Sequence, residues 1–216
     1  MTTYVLVGAG PGLGLATARR LGTDLIARSA EHLEHLTDEL RRDGIQARGF
    51  PADVLDPAAL TGALQDAAEA LGPIEILQYS PVPRADFMKP VLDTTADDLE
   101  DPLAFSLKAP VTCVNAVLPG MRDLGRGTLL FVNGGSAVRP HSQRAGTSIA
   151  FAVESAYARM LHDALAAENI HAAQLIIPGA IRPDAEQSSP EVLAERLYAL
   201  HTERDGFRHY AEPMPE

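Results

Sequence analysis

Four glycines at positions 8, 10, 12 and 14 stand in the stretch Val5-Leu6-Val7-Gly8-Ala9-Gly10-Pro11-Gly12-Leu13-Gly14, a spacing suited to holding phosphate. A backbone that turns tightly and lets a pyrophosphate approach its N–H groups cannot carry a Cβ at the turn. A helix that starts there adds unpaired N–H groups and the positive end of its dipole. Further on, Arg28-Ser29 closes a short apolar run, preceded by Ala27 rather than a carboxylate. In dinucleotide folds this point faces the adenosine ribose, where an acid takes the 2′-hydroxyl of NAD and an arginine accommodates the added phosphate of NADP. The alternative for Arg28 is a surface arginine opening the next helix. Asn133-Gly134-Gly135-Ser136 ends another apolar run. It puts a hydroxyl where ligands bind in open α/β sheets, although the same residues also suit an ordinary turn. Arg139, His141 and Arg144 then bring three potential cations to one loop, suited to an anionic substrate group or simply to solvent.

Strands and helices must place these groups. Tyr4 to Val7 reads as a buried parallel strand, and Leu13, Ala16, Thr17, Arg20 and Leu21 recur at helical spacing, so the glycines fall at a strand-to-helix join. A second strand over 24–27, a helix over 30–42 and a third strand over 45–50 follow, and Asp53 is placed to cap the next turn. The pattern continues with a helix over 57–71, a fourth strand over 74–77, helices over 93–100 and 102–118, and a fifth strand over 127–132. A helix over 150–167, a sixth strand over 170–177, a helix over 190–203 and an edge strand over 207–211 complete it. This alternation predicts an α/β fold of Rossmann type: a doubly wound, mostly parallel sheet of about seven strands with helices on both faces.

With 216 residues and 46% hydrophobic content, one domain over 1–216 is expected. The net charge of −11, with no basic cluster, argues against nucleic acid and membrane surfaces as partners. A single cysteine, Cys113, allows no internal disulfide and fits a buried thiol in a reducing compartment. No secretory leader or membrane span is evident, so a cytoplasmic location is expected. His32 and His35 have no third ligand beside them, and no metal is expected.

The spacing Gly8-x-x-x-Gly12-x-Gly14, the order of elements, and the phrases Leu118-Pro119-Gly120-Met121 and Pro178-Gly179-Ala180-Ile181 resemble the short-chain dehydrogenase/reductase family. The resemblance implies NADP(H) held by Gly8, Gly10, Pro11, Gly12, Leu13 and Gly14, with Arg28 and Ser29 at the ribose end. It also implies Asp53 and Val54 beside the adenine, and Pro178, Gly179 and Ile181 along the nicotinamide. Tyr79-Ser80-Pro81-Val82 stands where the family has Asn-Asn-Ala-Gly, which puts Ser80 next to the cofactor. Ser136 resembles the family's catalytic serine, which hydrogen-bonds the substrate carbonyl.

The rest of the family's active site is altered. Counting back from Leu118 puts Ser106 at the catalytic asparagine. Aligning the helix by its ending, Leu165 to Glu168, puts Phe151 and Ser155 at the family's Tyr-x-x-x-Lys pair. Phe151 has no proton to give, and Tyr157, six residues on, faces away in an ideal helix. Tyr79 and His141 are therefore the candidates for a rearranged proton donor. The expected function is NADP(H)-dependent oxidation or reduction of a small alcohol or carbonyl substrate. The alternatives are an inactive NADPH-binding sensor or partner subunit, or a non-redox lyase or cyclase on the same scaffold. Family members commonly pair through two helices, so a homodimer or homotetramer is expected across 102–118 and 150–167, with Phe105, Val114, Tyr157 and Leu161 as its apolar surface.

Overall fold

The computed structural model describes residues 3–22 and 24–214; Met1, Thr2, Thr23, Pro215 and Glu216, part of the expected 1–216 domain, lie outside the described residues. In chain order the elements are β1 (Tyr4–Val7), α1 (Leu13–Leu21), β2 (Asp24–Ala27), α2 (Ala30–Arg42), β3 (Gly49–Pro51), α3 (Pro57–Leu71) and β4 (Ile76–Tyr79). There follow α4 (Glu100–Leu103), α5 (Ala109–Leu124), β5 (Gly127–Gly134), α6 (Ala145–Leu165), β6 (Ile170–Ile177), α7 (Pro190–Glu203) and β7 (Arg208–Tyr210). The strands form one sheet in the order β3-β2-β1-β4-β5-β6-β7, and every pairing is parallel. The order reverses between β1 and β4, and the crevice that opens at the carboxyl ends of such a pair is where ligands bind in this architecture.

Side chains alternate across each strand, and both faces are covered. Val5, Val7, Leu77 and Leu129 point toward α3 and α5, where Leu60, Leu64, Val117 and Met121 meet them. Leu6, Leu25, Ile76 and Leu130 point the other way, onto Leu36 of α2, Leu15 of α1 and Leu197 of α7. Strands buried on both faces explain why the sequence reads as continuous apolar runs.

Several boundaries differ from the periodicity. The third strand is only Gly49–Pro51, because the Ile45 N–H is still taken by Leu40 O (2.9 Å) as α2 closes. The fourth strand starts two residues late and runs on to Tyr79, since both Glu75 N and Ile76 N donate to Thr3 O. The helix expected over 93–100 is instead the two 3₁₀ turns Val91–Asp93 and Asp97–Leu99 leading into α4. A π turn, Ala104–Lys108, joins α4 to α5, which passes through exposed Pro119 and ends at Gly125 with φ 65°. Fully buried Met121 anchors that last turn, which outweighs the hydrogen bond lost at the proline. Helix α6 begins at Ala145, ahead of the expected 150, because Gly146 lets it approach Phe87 O, which a Cβ would meet at 2.7 Å. By length and composition alone, Asp97–Leu124 is the one helix among the described residues that could cross a membrane. Its residues Cys113, Val114 and Val117 nevertheless lie in the core.

His171, near the start of β6, predicts how the fold responds to acid. It is 7% exposed, and its Nε2 is buried without a hydrogen-bond partner. Burial, then Arg204, His162, His209 and His201, lower its pKa from 6.5 to about 4. The folded value lies below the unfolded one, so stability is lost as pH falls from 6.5 toward 4, where the unfolded chain takes up a proton that the fold refuses. Urea midpoints should drop across that window in the wild type and drop less in His171→Leu; an equal drop in both would contradict this account.

Candidate cofactor cleft and active site

The glycine turn is built by close approach. Gly8 adopts φ 91°, a conformation that favours glycine, and a Cβ there would collide with the Pro81 backbone. Gly8 N and Ala9 N both donate to Ile26 O at 2.9 and 3.1 Å, which pins the turn against β2. Gly14 lets the first turn of α1 lie close to Ala9 and Leu6, which a Cβ there would meet at 3.4 Å. Nothing lies within 4 Å of the Cβ positions of Gly10 and Gly12, so this cradle is open just before α1 begins. Those open positions and the α1 N-terminus fit a pyrophosphate.

A cleft of about 360 Å³ extends from the turn. Of the residues expected at the cofactor, Gly8, Gly10, Arg28, Ser29, Asp53 and Val54 line it, together with Pro81, Val82 and Phe105. Pro11 and Gly12 are exposed, while Leu13 and Gly14 are buried behind the turn. Two of the lining residues also have structural partners. Ser29 Oγ caps α2 by accepting from His32 N (3.1 Å), and Asp53 Oδ1 accepts from Leu55 N (3.0 Å). Arg28 is exposed and has no ion pair among the described residues. Arg84 lines the same cleft but is paired with Asp86 at 2.7 Å.

Ser136 lies at the carboxyl end of β5 in the 3₁₀ turn Gly135–Ala137 and is half-buried. The Phe151 ring packs with Ala137 and Ile176, and a Cβ on Gly134 would lie 3.6 Å from it. The side chain beside the Ser136 turn is therefore an aromatic ring without a hydroxyl. Ser155, one turn on, faces β6 and β7: its Oγ donates to Gln174 Oε1 (2.9 Å) and accepts from Arg208 Nη2 (2.6 Å). Tyr157 stacks edge-on against Phe131, with centroids 6.5 Å apart.

Tyr79 does not serve as the expected proton donor. It is 1% exposed and its hydroxyl donates to Phe105 O. Burial first, then the charges of Glu154, Cys113 and Asp53, push its pKa well above the usual range. His141 sits exposed in the loop before α6, with Nδ1 accepting from Gln143 N (3.1 Å). Ser80 Oγ accepts from Gln78 Nε2 (2.9 Å), and Ser80 N donates to Val7 O, outside the residues that line the cleft. Pro178 packs at 3.3 Å from the Cβ position of Gly135, and Ile181 is 38% exposed. Gly179 lines a second cavity of about 520 Å³ between the loop after β6 and the segment Glu212–Pro213, with Arg182, Asp184 and Glu186 on its wall.

Sequence reasoning missed the polar group nearest these elements. Glu154 on α6 is 1% exposed; its Oε1 accepts from Asn133 Nδ2 (3.0 Å), and Ser106 is its second hydrogen-bond partner. Burial pushes its carboxyl up from 4.5 to about 8, and the two hydrogen bonds pull the other way. Asn133 Oδ1 in turn accepts from Gln174 Nε2 (2.8 Å), whose Oε1 takes Ser155 and Arg208. A visible signal was a carboxylate between Ala150 and Ala158 on the buried stripe of a helix.

The chain matches the short chain dehydrogenase family over residues 2–193. It is 28% identical over 190 residues to a 2,3-dihydro-2,3-dihydroxybenzoate dehydrogenase of Bacillus subtilis (strain 168), covering 85% of this chain and 71% of that one. A metagenomic short-chain oxidoreductase solved in complex with NADP superposes with a TM-score of 0.84 at 21% identity, covering 100% of this chain and 97% of that one. A short-chain oxidoreductase of Pseudomonas aeruginosa PAO1, described as containing an atypical catalytic center, gives 0.85 at 19% identity over 97% of this chain and 95% of that one.

The cost of burying Glu154 can be measured. Its folded pKa of about 8 lies above the unfolded 4.5, so its contribution to stability is full below 4.5 and is lost as pH rises toward 8. Glu154→Gln keeps the shape and has no proton to lose. The variant should be more stable than the wild type at neutral pH, by on the order of 3 kcal/mol, with the gain shrinking toward acid. A gain that does not change with pH in denaturant titrations would contradict the buried acid.

Proposed function

Given that the chain belongs to the short-chain dehydrogenase family, we propose that it binds NADP(H) in the Gly8 cleft and acts as an oxidoreductase on an alcohol or carbonyl substrate, with a proton donor other than a helix tyrosine. The observation that carries the cofactor reading is Arg28: an exposed guanidinium without an ion pair, on the wall shared with Gly8 and Gly10, preceded by Ala27 where an NAD site has its acid. The NADP-bound structural neighbour supports the same choice.

The chain's own groups divide the work. The open turn at Gly10 and Gly12 and the α1 N-terminus bind phosphate. Arg28 pairs with the 2′-phosphate, and Phe105 and Pro81 add apolar wall to the cleft. Bound NADPH would supply the hydride. Ser136 donates a hydrogen bond to the substrate carbonyl. Substrate enters beside Gly179, from the cavity walled by Arg182 and Glu212. A hydrophilic small molecule suits that lining. Phe151 beside the Ser136 turn favours a second reading, a cofactor-binding sensor or partner subunit with little turnover.

The reading also includes a cytoplasmic homo-oligomer. Phe105 and Val114, offered from the sequence as its surface, are 6% and 1% exposed and belong to the chain's own core. Half-buried Leu107 and Val111, and Met160 at 62% exposed, are apolar side chains that the same two segments leave in part at the surface. Light scattering should give a dimer or tetramer mass, and a monomer mass at all concentrations would remove this part.

Titration of NADPH and NADH tests the cofactor. Arg28→Ala should weaken NADPH by about ten- to a hundredfold and leave NADH nearly unchanged, as expected for a charge-assisted pair worth about 1.5 to 3 kcal/mol. Equal affinity of the wild type for both nucleotides would contradict the reading. Reduction of simple ketones should be slow, because a missing general acid costs a factor of about 10² to 10⁴. Phe151→Tyr with Ser155→Lys should raise that rate, and rapid wild-type turnover would show that the donor is present elsewhere.

A further inference from the structure

Glu154 is the most deeply buried carboxyl among the described residues, and the chemistry above leaves it without a role. Keeping an acid in a dry interior costs stability, and such a group persists where function uses it. Its two partners lie on different elements. Asn133 is on β5, three residues before Ser136. Ser106 lies in the middle of the π turn Ala104–Lys108, a helical irregularity of the kind found at functional sites. The neighbour of Ser106, Phe105, lines the cleft, and its carbonyl accepts from the Tyr79 hydroxyl.

We propose that Glu154 is a positioning residue of the cofactor site: as a neutral acid it ties the π turn that carries Phe105 to the β5 end that carries Ser136, and its ionisation loosens that tie. In the neutral form the carbonyl oxygen accepts from Asn133 Nδ2 and the acid O–H donates to Ser106 Oγ, which leaves the serine proton free. In the ionised form Ser106 must turn its own proton inward, and a buried charge is left without an opposite charge beside it. Among the described residues no cation offsets it. The titratable groups facing it are Cys113 from α5 and Tyr79 from β4. Burial raises both, and the Glu154 charge raises them further, so neither ionises first. From β5 it meets the Asn133 amide, and Arg208 reaches the network only through Gln174 and Ser155.

The proposal rests on the cofactor reading only for its effect on NADPH, so the test has a second readout. Amide exchange across residues 104–108 and 133–136, corrected for its intrinsic pH dependence, should rise about tenfold in the wild type from about pH 7 to about pH 9. NADPH affinity should fall over the same range. Glu154→Gln should hold both flat. No rise in the wild type, or the same rise in Glu154→Gln, would overturn the proposal. The exchange pattern without NADPH binding at any pH would support the tie while removing the cofactor reading. Should Glu154→Gln not fold, Ser106→Ala must show raised exchange across 104–108 at every pH, and unchanged exchange there would equally overturn it.

Discussion

The approach of Gly8 to Pro81 is the constraint on which the rest of the site depends. It lies where β1 and β4 adjoin, the point at which the strand order reverses. A side chain at position 8 would force the β4 loop away, and with it the wall formed by Pro81 and Val82. The same turn hands its N–H groups to Ile26 O, so its position is set from β2 as well as from β4. A phosphate held here would need no long side chains: the backbone shapes the open turn, and Arg28 stands on the wall of the same cleft.

Behind the cleft the design is different. A chain of buried polar side chains runs from Ser106 through Glu154, Asn133 and Gln174 to Ser155 and Arg208, crossing β5 and β6. Each bond in it satisfies a group that would otherwise be costly to bury, and each ties an element near the active end to its neighbour. The network joins α6 and the π turn to β5 and β6, so it ties both to the strand that leads to Ser136. An apolar core could pack these elements more stably but would give them no fixed polar register.

The sequence made most of the frame legible. The runs that became β1, β2, β6, α2, α3 and α7 fall where periodicity put them, because each carries a clean apolar repeat, and α2 and α3 are bounded by local caps: Ser29 and Asp56 at their starts, Gly72 at the end of α3. Edges set by tertiary bonds were not legible. Nothing local shows that Thr3 O would claim both Glu75 and Ile76, or that Pro119 would lie inside a helix held by Met121. That Gly8, Gly10, Arg28 and Asp53 would meet in one cleft could be read, because a glycine loop and the ends of the strands beside it are local in sequence. The Glu154 network could not, because its members are scattered from residue 106 to residue 208 and only the fold brings them together. Tyr79 looked available as a phenol just past the fourth strand, but that strand runs on to Tyr79 and its alternation turns the ring into the core.

The most direct test of the central claim is a crystal structure of this chain soaked with NADPH. The account predicts the pyrophosphate on the Gly8–Gly14 turn, the 2′-phosphate against Arg28, and the nicotinamide between Pro178 and the Ser136 turn, with Phe151 beside it and no protonable group from α6 in reach. Density for the nucleotide outside this cleft, or the 2′-phosphate turned away from Arg28 into solvent, would contradict it.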